Sequence, residues 1–107
     1  MAIIDTAPET VIVRIFLSNN DQPTAKLADA ELHFVDGSLA GLKLLGFAIW
    51  DRHGGGCHVT FPARQYSANG QRRSFTLLRD ISGHNGSSAV RDLILDAYAA
   101  ALQRRVE

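Results

Sequence analysis

The chain has 107 residues, 46% hydrophobic and 21% charged, with eleven Lys or Arg balanced by eleven Asp or Glu. That length allows one hydrophobic core and no separate cofactor domain, and the composition is that of a folded rather than a disordered chain. No apolar run approaches the ~18 residues of a membrane span, the N-terminal Ala-Ile-Ile is too short for a signal peptide and lacks its basic start, and a lone Cys57 excludes an internal disulfide; a cytoplasmic single domain over residues 1–107, flexible at 1–9, is expected.

In chain order, Thr10–Leu17 is rich in β-branched and aromatic residues and runs into the turn formers Ser18 to Asp21, which predicts a strand and a turn. In 25–35, Ala28, Ala30, Leu32 and Phe34 alternate with Asp29, Glu31 and His33, the period of a strand with one wet face. Asp36-Gly37-Ser38 supplies a turn. Leu42–Trp50 is apolar on both faces except Lys43 and the small Gly46, as in a strand buried on both sides or lying at a subunit contact. After the break His53-Gly54-Gly55-Gly56, Cys57–Phe61 reads as a short strand ended by Pro62, which has no N–H to donate. Asn69-Gly70 marks a hairpin tip, and Arg72–Leu78 returns as the last strand.

Gly83 to Ser88 are small or polar, with Ser87 or Ser88 placed to cap a following helix. In that helix Val90, Leu93, Ile94, Ala97, Tyr98, Ala101 and Leu102 form one apolar stripe, Leu95 lies off it, and Arg104 and Arg105 complement the dipole at its end. The expected fold is α+β: a five-stranded antiparallel sheet followed by one C-terminal helix packed on it.

The charges are unevenly placed. Residues 1–50 hold three basic and six acidic side chains, residues 51–107 eight and five. From 52 to 79 there are five arginines, Arg52, Arg64, Arg72, Arg73 and Arg79, with His53, His58, Phe61, Tyr66 and Phe75, and no carboxylate. Guanidinium groups match phosphate oxygens two at a time and aromatic rings offer stacking faces. Arg52, Arg64, Tyr66, Arg72, Arg73 and Arg79 are therefore the candidate nucleic-acid contacts, with Arg64, Arg72 and Arg73 around one loop. The competing reading pairs these arginines with Asp29, Glu31, Asp36 or Asp80 across the fold, and joins Phe61 and Phe75 in the core.

The apolar run Lys43–Trp50, the segment Gly56-Cys57-His58-Val59-Thr60-Phe61-Pro62-Ala63-Arg64, Asn69-Gly70, and the helix from Val90-Arg91-Asp92-Leu93 to Tyr98 resemble the SpoVG family of bacterial septation proteins over roughly the last two thirds of the chain. Cys57 and His58 stand where the family usually has an apolar pair, Phe75 follows the arginine pair where Asp-Ile is more common, and the basic tail is short. The resemblance implies a small dimeric α+β regulator that binds DNA or RNA and performs no catalysis.

His53, Cys57 and His58, with His33 or His84, offer donors for zinc or copper or a thiol site, in a non-specific arrangement. The three glycines join strands and lack a phosphate-loop pattern. With no paired carboxylates, triad spacing or cofactor fingerprint, neither an enzyme nor a cofactor or small-molecule substrate is expected. The expected function is a nucleic-acid-binding regulator acting as a homodimer; the alternative is an assembly module whose acidic and basic halves attract one another in different copies.

Overall fold

Ala28, Ala30 and Leu32 are 0, 1 and 3% exposed, while Asp29 between them faces water. This alternation fixes the central sheet. The structure, a computed structural model, describes residues 11–18, 25–82 and 85–106, without the side chains of 105 and 106. The expected flexibility of 1–9, most of the turn at Ser18 to Asp21, His84 and the Arg105 side chain lie outside the described residues.

Strands β1 (Val11–Leu17), β2 (Lys26–Phe34), β3 (Lys43–Asp51) and β4 (Cys57–Thr60) form an antiparallel sheet in sequence order. Val13, Ile15 and Leu17 stand opposite Leu32, Ala30 and Ala28, and Phe47 and Ile49 flank the same two alanines from β3. The C-terminal helix α1 (Gly86–Val106) covers this face with Ile94 and Tyr98. The small alanines of β2 let larger neighbours on β1, β3 and α1 close over them. On the uncovered face lie Ile12, Arg14 and Phe16 of β1, opposite His33, Glu31 and Asp29. Phe47 and Ile49 of β3 are buried by the helix side, whereas Leu42 and Leu45 are exposed.

Sequence reading and structure differ over the rest of the sheet. β5 (Ala63–Ala68) and β6 (Gln71–Thr76) pair only with each other, so the expected five-stranded sheet is a four-stranded sheet plus a two-stranded hairpin. Pro62 is the cause: it cannot extend the β4 ladder, and the chain leaves the sheet there. Neither hairpin strand alternates apolar and polar residues as a core strand would, which is why Ala63–Ala68 does not read as a strand. Phe61 packs edge-on against Phe47, with ring centroids 5.1 Å apart, and not against Phe75.

The helix stripe is rotated from its expected position. Leu93 is 46% exposed while Leu95 is half-buried. At about 100° per residue, Leu95 lies nearer than Leu93 to the line through Ile94 and Tyr98 that meets the sheet. The N-terminal cap also differs: Ser87 is inside the helix, and its N–H and hydroxyl donate to Asp80 Oδ1 (2.6 Å) and Oδ2 (2.7 Å). A carboxylate from the preceding loop satisfies the free amide and lies at the positive end of the dipole.

Candidate functional site

The hairpin is built by its turn. Asn69 (φ 52°) and Gly70 (φ 77°) both adopt left-handed conformations, the two-residue type I′ geometry that Asn-Gly favours and that matches strand twist. It fixes the register: Ala68 faces Gln71, Ser67 faces Arg72, Tyr66 faces Arg73, Gln65 faces Ser74, Arg64 faces Phe75 and Ala63 faces Thr76. The root is closed by the Leu77 N–H donating to Pro62 O at 2.8 Å.

Directly opposed residues share a face, and alternate residues along each strand do too. One face therefore carries Arg64, Tyr66, Arg73 and Phe75 as a checkerboard, rings on one diagonal and guanidinium groups on the other. The reverse face carries Ala63, Gln65, Ser67, Arg72, Ser74 and Thr76. Tyr66 and Phe75 touch at a centroid distance of 5.7 Å, tilted by 60°, and remain 44 and 42% exposed. Arg73 Nη2 donates to Gln71 Oε1 at 3.3 Å, on the same face. From Ala63 to Thr76 there is no carboxylate, no residue belongs to the buried core or its packed fringe, and the hairpin makes only sparse contact with the other elements.

The six residues singled out by sequence fall in four places. Arg64, Tyr66 and Arg73 come together. Arg72 projects from the opposite face, so the three arginines do not surround one loop as a single group. Arg52 lies in the β3–β4 turn, where its N–H donates to Gly56 O at 3.1 Å, at the far end of β4 from Pro62. Arg79 follows β6 and lines a cleft of about 650 Å³ with Thr60, Thr76, Asp80, Ser87 and Arg91. There the hydrogen bond from the Ser87 N–H, reinforced by its hydroxyl and by Arg91, holds the Asp80 carboxyl below the usual aspartate range. Phe75 is the member that sequence reasoning put elsewhere; counting register outward from a two-residue Asn-Gly turn places it opposite Arg64.

The acidic strand does not neutralise these arginines. Glu31 Oε1 accepts from His33 Nε2 at 2.9 Å and lies 3.4 Å from Lys43 Nζ; Asp29 Oδ1 accepts from Lys26 Nζ at 3.0 Å. The hydrogen bond from His33, then Lys43, holds the Glu31 carboxyl below its ordinary range against some desolvation. None of the ion pairs among the described residues involves an arginine.

Cys57 and His58 do not converge on a ligand. As neighbours in β4 they project to opposite faces: Cys57 packs against the core, while His58 stands opposite Trp50, whose Nε1–H donates to Thr60 Oγ1 at 2.8 Å. Among the described residues no group of three His, Cys, Asp or Glu is placed to hold a metal ion, and no helix is long and apolar enough to cross a membrane. No family model, curated protein or solved structure matches the chain.

Proposed function

We propose that this protein is a small nucleic-acid-binding regulator that holds phosphates through arginines of the β5–β6 hairpin. The observation carrying this reading is the hairpin itself, an arm outside the core whose charged residues are all arginines. Core packing does not explain Arg64, Arg72 and Arg73, and no acidic side chain among the described residues pairs with them. Loops and arms held by a rigid scaffold are where recognition residues concentrate. The resemblance of 43–64 and of the helix to the SpoVG family supports the same class of function, including action as a dimer in a bacterial cell without catalysis.

Fluorescence anisotropy with labelled oligonucleotides over a range of salt tests the proposal. Replacing Arg64, Arg72 and Arg73 together by Ala is expected to weaken binding and to flatten the salt dependence, by about 0.9 in log K per decade of salt for each duplex-DNA phosphate that is no longer neutralised. Equal affinity and equal slope in the folded triple variant would overturn it. One observation favours the second reading, an assembly module: Ile12 and Phe16 are exposed on the sheet face that α1 leaves uncovered, beside the acidic β2.

A further inference from the structure

The two faces of the hairpin are suited to different forms of nucleic acid. Within the nucleic-acid reading above, on which this step rests, the geometry points to a single strand as the ligand, with its bases stacked on Tyr66 and Phe75 and its phosphates held by Arg64 and Arg73.

The rings separate the two forms. Tyr66 and Phe75 contact one another yet leave over two fifths of each in water, with a guanidinium group directly across the strands from each ring. A base of an unpaired strand has an open π-face to cover such a ring while its phosphate stays within reach of an arginine; stacking of this kind tolerates any base. In a duplex the base faces are already covered by their neighbours, and rings offered to it remain wet. A two-stranded ribbon that reads a duplex inserts polar side chains toward base edges in the major groove. Gln65, Ser67, Arg72 and Ser74 on the reverse face suit that task, but with one arginine against two and no ring. Charge and aromatic surface both favour the checkerboard face.

The two modes predict opposite sensitivities. The full chain is titrated into a labelled single-stranded DNA, a strand of equal length with abasic sites in place of bases, and the corresponding duplex. The unmodified strand is expected to bind roughly ten-fold or more tightly than the abasic strand or the duplex. Phe75→Leu is expected to lower affinity for the unmodified strand by a similar factor, leaving its salt slope and the abasic affinity unchanged. Arg73→Ala is expected to reduce the single-strand slope by about 0.7, whereas Arg72→Ala leaves it in place. Equal binding of unmodified and abasic strands by the wild-type chain overturns the inference whatever the variants do, as does preference for duplex with Arg72 the sensitive residue; in either case binding by the hairpin stands. Loss of self-association in Phe75→Leu, with single-strand affinity intact, assigns the rings to a second copy and also overturns it. If no probe binds even at low salt, the nucleic-acid reading falls with it.

Discussion

A Cβ built on Gly46 would lie 2.8 Å from the Cβ of Pro62, closer than real Cβ atoms come to such a neighbour. Gly46 also sits at φ 106°, in a bulge where three steps along β3, from Leu44 to Phe47, face two along β2. The bulge thus gives the buried Pro62 ring room at the point where the chain leaves the sheet for the hairpin. Gly46→Ala combines backbone strain of about 1–3 kcal/mol with this clash. Gly37→Ala, at φ 82° with nothing within 4 Å, meets the strain alone. Melting curves should show the Gly46 variant as the less stable of the two; equal losses would mean that the Pro62 ring yields to the added methyl at no cost.

Ile94 is fully buried, and Ile94→Ala is expected to cost about 2–5 kcal/mol. Leu93→Ala, one residue earlier and half in water, should stay within about 0.5 kcal/mol of wild type, as surface changes do. Denaturant midpoints distinguish the two directly. A large loss from Leu93 would mean that its side chain is covered in solution.

What was legible in the sequence follows from periodicity and local turn chemistry. The alternation in β2, the Asn69-Gly70 tip and the Ile94–Tyr98 spacing each signal through residues a few positions apart. Three features depend on longer geometry. Ala63–Ala68 carries no core-facing pattern because it faces no core; Asp80 caps a helix beginning six residues later, beyond any local capping motif; and the rotation of α1 that exposes Leu93 depends on where the sheet lies. Of the site, the residue types were visible before the fold, but the separation of Arg72 from Arg73 and the meeting of Phe75 with Tyr66 required the hairpin register.

Asp80 gives the helix start an acid-sensitive anchor. Its carboxyl titrates lower in the folded chain than in the unfolded one, so its contribution is full above the ordinary aspartate range and is lost as pH falls through the lower folded value. Glu31 changes in the same direction, so wild type alone does not isolate either group. The stability difference between wild type and Asp80→Asn should shrink as pH is lowered through this range. A difference independent of pH would show that the charge is not what matters.

The uncovered sheet face leads us to expect a dimer. Phe16 and Ile12 are both 46% exposed there, on either side of Arg14, and Phe16 lines a shallow depression with the exposed Leu45; large apolar side chains grouped in water on a small domain mark a contact. Light scattering should give twice the 11.6 kDa of the chain. Phe16→Glu, opposite Asp29, should shift the mass toward the monomer. A wild-type monomer at micromolar concentration would rule the dimer out.

Amide exchange should divide the molecule at Pro62. Amides paired between β2 and β3 are expected to exchange only on global unfolding, and those between β5 and β6 through local opening at much lower free energy, because a two-stranded hairpin is marginal alone. Uniform protection would indicate that something holds the arm down.

Because no residue between Ala63 and Thr76 helps to close the core, selection for stability and selection for recognition act on different stretches of this chain. The arm's exposed side chains can be exchanged while Asn69, Gly70 and the backbone pairs keep its shape, and the β1–β4 sheet need not be repacked. A lineage or an engineer can therefore revise what the protein grips by editing one short segment, and each edit leaves the inherited scaffold intact.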